Sequence, residues 1–320
     1  MSSRLPFATR RKNAERDAEL AGALDRSART RGGSLWRDAI HAFLRNKTAV
    51  AALIVLLAIV LISYVGPFLS PWGINDYDVM NMKQGPSAEH WLGTDSYGRD
   101  VFTRVMYAGR ISIAIGLISM LVSVLFGAVL GVVSGYFGGW VDGVTMRIAD
   151  VVLSIPSMPL MFIIAALLSA FKVPAELKVY FVIVMLSFVG WPSIARMIRG
   201  QVLSIRERMY VRAADVLGLG TGSKLFRHIL PNTYPILIVE ATLATANGIM
   251  NESALSFLGL GVSQPIPSWG NMISAANNLI DFQMHWWLWV TPGLAVFATV
   301  ISINTIGDRL RDAFDPKQYA

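Results

Sequence analysis

Few side chains in this sequence could do chemistry, and they are concentrated in two places. One apolar stretch, residues 235–258, carries Glu240, Asn247, Asn251 and Glu252. A carboxylate deep in a lipid-spanning helix costs about 2.5–3.5 kcal/mol on insertion scales, so such groups turn toward protein or water. Asn247 and Asn251 stand four residues apart and share a helix face, and Glu240, seven before Asn247, nearly joins them. The stripe reads either as the wall of a polar pathway or as an interface network of helix–helix hydrogen bonds. Glu252, near the outer end, reads as a group that reaches water. The second place is Gly218-Leu-Gly-Thr-Gly-Ser-Lys224, a glycine-rich run that imitates a phosphate loop. Its spacing departs from GxxxxGK[ST], because Ser223 separates Gly222 from Lys224. It also follows a helical run, whereas a phosphate loop follows a strand. Gly218 reads instead as a helix stop. No HExxH or Cys/His set occurs, the four histidines are scattered and cysteine is absent. The residue types therefore exclude ATP hydrolysis by a phosphate loop, thiol chemistry and a resident metal centre, and His285 is assigned no ligand role.

The elements that must position these residues are membrane spans. Of 320 residues, 54% are hydrophobic and only 15% charged, and the mean hydropathy is +0.50. A soluble protein carries nearer a quarter charged residues. Six segments are long and apolar enough for about 30 Å of hydrocarbon: residues 48–69, 111–135, 148–171, 178–198, 235–258 and 286–306. The first follows 47 polar residues and lacks a small-x-small cleavage site, so it reads as a span and not a signal peptide. The expectation is an all-α membrane protein of six transmembrane helices. Lys and Arg orient it. With both termini cytoplasmic, eleven basic residues lie between Arg4 and Lys47, and Arg199, Arg206, Arg208, Arg212, Lys224 and Arg227 fall in one inner loop. The outer stretch from Gly259 to His285 has none. This is the positive-inside bias, so the net charge of +7 needs no nucleic acid.

The expected order is a polar, disordered tail at residues 1–33, an interfacial amphipathic helix at 34–47 capped by Ser34, and the first span at 48–69. An external, ion-paired loop at 70–110 follows. The span core occupies 111–306, with a cytoplasmic loop at 199–232 inside it, and a short tail fills 307–320. Gly127, Gly131, Gly135 and Gly139 recur every fourth residue, which lets another helix approach closely. Pro156 and Pro159 predict a bend in the third span. Trp286, Trp287 and Trp289 read as an interfacial aromatic belt. In the inner loop, Val202, Ile205, Met209, Ala213 and Val216 recur at helical spacing. They predict one amphipathic helix, a turn at 218–222, and a second helix with Leu225, Phe226, Ile229 and Leu230 that Pro231 ends. Such a pair can transmit motion rigidly where a flexible loop cannot.

This loop closely resembles the EAA loop of ABC importer permeases. The pattern EAA-x3-G-x9-I-x-LP falls on Arg212-Ala213-Ala214, Gly218, His228 and Leu230-Pro231, with Arg212 replacing the acidic residue and His228 the aliphatic one. Leu92-Gly-Thr-Asp-Ser-Tyr-Gly-Arg-Asp100, Gly135-Tyr-Phe-Gly-Gly139, Phe257-Leu-Gly-Leu-Gly261, Pro267-Ser-Trp-Gly270 and Gly307-Asp-Arg-Leu-Arg-Asp-Ala-Phe-Asp-Pro316 look like the C-type permease subunit of dipeptide/oligopeptide ABC importers. The resemblance runs from about Ser34 to Pro316. It implies a type I ABC importer permease (MetI-like) fold in a bacterial or archaeal inner membrane. It also implies a homologous B-type permease, two ATP-binding subunits that carry the ATP and Mg, and an extracytoplasmic binding protein as partners, with no cofactor in this chain. ATPase coupling would fall to Arg212, Ala213, Ala214, Asp215, Gly218 and Pro231. Nickel, glutathione and some sugar importers share the subunit type, although spans without His argue against a metal path. An ion-coupled secondary transporter using Glu240 and Glu252 is the reading from another class.

Overall fold

The computed structural model describes residues 35–216 and 219–314, which fold into helices joined by turns and two structured loops. The expected tail at 1–33, the Ser34 cap and the Gly218 stop lie outside the described residues. Helix α1 (Leu35–Arg45) precedes α2 (Lys47–Leu69), which Asn46 caps by accepting the Thr48 and Ala49 amides. Buried Phe43 anchors α1 in a cluster with Ala49, Ala52 and Ile306, while Ile40 and Leu44 remain exposed. Helix α3 (Val101–Phe137) has 37 residues, about 55 Å at 1.5 Å per residue. That exceeds the expected span because the helix already starts at Val101, inside the stretch 70–110 that was expected to be loop.

After a turn at Gly138, α4 (Gly139–Ser154) and α5 (Ser157–Ala170) meet at 77°. The bend falls at Pro156, as the prolines predict, since proline removes the amide that would continue the helix. Helix α6 (Ala175–Arg206) then runs the length of α3, and the two form the most extensive helix pair. Helices α8 (Leu230–Phe257) and α11 (Trp287–Phe314) complete the bundle, with α8 packed between α3 and α11. Short helices α9 (Trp269–Ile273) and α10 (Leu279–Met284) shape the loop between them.

Among the described residues, helices α2, α3, α6 and α11 are each long and apolar enough to cross a membrane, and the bent α4–α5 pair is so only when its two helices are taken together. The sixth expected span, α8, is 28 residues long but less apolar than those, because it carries the Glu and Asn residues. The connections sort to two ends. Lys83 bonds Asp281 at 2.6 Å and Arg104 bonds Gln264 at 3.0 Å, which joins the two long loops at one end. Arg199 grips Asp142 at 2.5 Å, which joins the α3–α4 turn to α6 at the other end.

The glycine stripe resolves into two roles. A Cβ on Gly127 would lie 2.8 Å from the Trp191 carbonyl oxygen, on Gly131 2.6 Å from that of Ala195, and on Gly135 3.0 Å from that of Arg199. These three let α6 lie against α3 within the same chain. Gly139 does not belong with them: nothing approaches its Cβ position, and its φ of +53° serves the turn into α4.

Two further expectations are corrected. Trp287 is buried, and its indole N–H donates to the Thr94 carbonyl at 3.2 Å, so it locks the two long loops together instead of joining an aromatic belt. The inner-loop helix is not continuous. Helix α6 stops at Arg206, and α7 (Met209–Val216) starts again after Glu207 and Arg208.

Candidate functional site

Three of the four residues singled out on α8 come together. Glu240, Asn247 and Asn251 line one cleft of about 250 Å³, walled by α3 through Ser119 and Ser123 and by α6 through Gly190 and Ser193. Glu240 and Asn251 are half-buried and Asn247 is exposed. The cleft exists because Gly116 and Gly248 bring α3 and α8 close: a Cβ on Gly248 would meet the Gly116 Cα at 3.2 Å. Helix spacing alone predicts the shared face of the stripe. The opposing wall required long-range packing.

Glu252 lies elsewhere. It is fully buried and accepts hydrogen bonds from Ser112 Oγ at 2.9 Å and Ser256 Oγ at 2.7 Å. Those serines in turn receive the Trp269 and Val262 amides, at 3.1 and 2.9 Å. The carboxyl therefore organises the α8–α9 corner and does not reach water as its position near the helix end suggests. The Pro267-Ser-Trp-Gly270 run serves the same corner. Ser268 and Asn271 form a capping box, and buried Trp269 donates to the Val105 carbonyl at 3.0 Å. Sequence reading missed this role because Ser112 is 140 residues from Glu252.

The Leu92–Asp100 run is a folded, ion-paired cap, as expected. Asp95 accepts from the Tyr97 and Arg99 amides and from the Arg99 guanidinium at 2.7 Å. Gly98, with φ +75°, turns the chain back beneath the Asp78 carbonyl where no side chain fits. Asp100 caps α3 through the Thr103 amide at 2.7 Å, and its other oxygen meets His90 Nδ1 at 2.9 Å. Arg99 and Arg104 converge on Gln264 Oε1 at 3.2 and 3.0 Å. Asp281 joins this cap through Lys83 and through His285 at 2.8 Å. Burial raises the Asp281 carboxyl, but its bonds to Lys83 and His285 outweigh that and hold it below the ordinary 3.8.

At the opposite end, α7 docks through Val211 into a core shared with Val202, Ile205, Leu225, Ile229 and Leu237. Thr221–Ser223 and a π-helical turn, Lys224–Ile229, lead directly into α8. Pro231 therefore opens α8 instead of ending the preceding helix. Proline is tolerated in a first turn because the amide it lacks has no helical partner there. Met209 keeps the apolar spacing of the inner loop and Phe226 belongs to its second apolar run, yet 87% and 71% of their surface is exposed. Arg212 bonds Glu207 at 2.5 Å, and this bond holds the exposed Glu207 carboxyl below its usual range. Ala213, Ala214 and Asp215 are on α7, but their side chains, like Gly218, lie outside the described residues.

Two family models match this chain. Residues 127–318 match the model of the binding-protein-dependent transport system inner membrane component family. Residues 34–86 match that of the N-terminal transmembrane domain of oligopeptide transport permease C. The oligopeptide transport system permease protein of Escherichia coli strain K12 is 42% identical over 288 residues, covering 89% of this chain and 92% of that protein. The dipeptide transport system permease protein of Alkalihalophilus pseudofirmus is 38% identical over 284 residues, covering 89% and 90%. The oligopeptide transport system permease protein of Bacillus subtilis strain 168 is 37% identical with the same coverages.

Proposed function

Because the chain belongs to the family of binding-protein-dependent transport system inner membrane components, we propose that it is the membrane-spanning C-type permease subunit of an ATP-driven importer of di- and oligopeptides. The observation that carries the cargo class is the match of 89% of the chain to permeases named for dipeptide and oligopeptide transport. A homologous B-type permease would supply the other half of the pathway. The cleft supports this: at about 250 Å³ it is smaller than the roughly 300–1,000 Å³ of a pocket that encloses a small molecule, as one wall of a shared pathway should be. ATP and Mg would belong to two separate ATPase subunits, and a binding protein outside the membrane would deliver the peptide.

The end carrying α7 faces the cytoplasm in this reading, as do both termini, which puts the basic inner loop on the side that positive charge prefers. Coupling runs through Arg212, Ala213, Ala214, Asp215, Gly218 and Pro231. Exposed Met209 and Phe226 give that surface apolar contacts for the ATPase. ATP binding can shift the permease only through contacts that differ between its two states, and α7 with the π-helical turn is the rigid unit that would make them. Arg212 pairs with Glu207 of its own chain, so the reversed charge at the first EAA position is already balanced without the ATPase.

The test is Ala213→Asp, with Gly218→Asp as a second variant, in the assembled transporter. Both should accumulate in the membrane and leave ATP hydrolysis intact while peptide uptake falls at least about tenfold, the loss of about 1.4 kcal/mol of coupling free energy. Unchanged uptake in both variants would remove the loop from the coupling path.

A further inference from the structure

Among the described residues, no counter-charge pairs with the Glu240 carboxylate, which sits at mid-depth in the bundle. It lies ten residues into α8, about 15 Å along the axis, with Asn251 about 16 Å beyond. Among the described residues it makes no ion pair and no hydrogen bond. Two other helical acids are held: Asp142 by Arg199 and Ser134, and Glu252, on the same helix, by Ser112 and Ser256. Glu240 is also the one ionisable side chain among those lining the cleft. Its polar neighbours there, Ser119, Ser123, Ser193, Asn247 and Asn251, are neutral.

An uncompensated charge in a low-dielectric span is costly unless a cation reaches it. The cleft is open to such a group, and the aligned Asn247 and Asn251 amides extend the polar wall outward from the carboxylate. Resting on the peptide-import reading, we propose that Glu240 is a specificity-determining residue that receives cationic groups of the cargo, the ammonium or guanidinium of a basic peptide, during passage. Asn247 and Asn251 offer neutral donors and acceptors to its peptide backbone. Acidic side chains passing the same point meet like charge, so the pathway itself discriminates by cargo charge, whatever the binding protein selects.

The experiment measures uptake of labelled Ala-Lys-Ala and Ala-Glu-Ala by the complete transporter, with the native chain and with Glu240→Gln. The same binding protein serves both, so its preference cancels when the Lys-to-Glu uptake ratios are compared. Glu240→Gln should lower that ratio about fivefold, the scale of one charge pair near 4 Å even when water screens it. Asn247→Lys, which adds a cation to the cleft wall about 10 Å along α8 from an intact Glu240, should lower it as well and serves if Glu240→Gln fails to accumulate. An unchanged ratio, or an equal loss of both peptides, would overturn the proposal; equal loss would assign Glu240 to contact with the second permease subunit. A native transporter that imports neither peptide would instead sink the peptide-import reading.

Discussion

Glu240 and Glu252 belong to one helix twelve residues apart, yet their surroundings assign them opposite roles. Glu252 accepts from Ser112 and Ser256 in a fully buried corner, so Glu252→Ala strands both hydroxyls. Losing buried bonds to an acidic acceptor costs about 1.5–3 kcal/mol each, so the melting temperature of the purified protein should drop by several degrees. Asn247→Ala, at an exposed position, should leave it within a degree or two. Equal effects of the two would contradict the assignment. Asp281 supplies a pH test. Its folded carboxyl is depressed below 3.8 by Lys83 and His285, so its contribution is present above that value and is lost as pH falls through the folded value. The difference in melting temperature between native and Asp281→Asn protein should therefore hold from pH 7 to near 4 and close only below about 3.8. A gap that closes well above pH 4 would contradict this assignment. The spacing of Glu240, Asn247 and Asn251 was legible in the sequence because helical periodicity is local. The burial of Glu252 was not, because its partner serine comes from another helix.

At the scale of elements, the α3–α6 pair depends on three glycines. Gly131→Ala would force a Cβ to 2.6 Å from the Ala195 carbonyl, and overpacking of this kind costs about 1–3 kcal/mol. Gly143→Ala, on α4 with nothing within 4 Å, should be neutral or slightly stabilising, since alanine is the better helix former. A melting comparison of the two variants separates packing from propensity, and similar shifts would contradict the close approach. Long apolar runs made α2, α3, α6 and α11 legible, and Pro156 made the α4–α5 bend legible. The break between α6 and α7 carries no glycine or proline. The amphipathic period runs on through Glu207 and Arg208, so spacing read one helix and placed Met209 inward. Gly139 kept the period of the glycine stripe, but only the turn geometry reveals its different task.

At the scale of the whole molecule, one end joins two long loops through Lys83–Asp281, Arg104–Gln264 and Trp287–Thr94, and the other presents α7 with uncovered Met209 and Phe226. Between them a polar cleft too small to enclose a peptide opens along α8. In the proposed reading the cap faces outward, the uncovered apolar surface meets an energy-supplying subunit, and a second permease completes the pathway. The most direct measurement is uptake of a labelled tripeptide into cells expressing this chain with the proposed permease, ATPase and binding-protein subunits, with and without ATP depletion and with and without an uncoupler. The account predicts uptake that stops when ATP is depleted, persists with the uncoupler and disappears when the ATPase subunits are omitted. Uptake by this chain alone in liposomes, driven by a proton gradient, would contradict it.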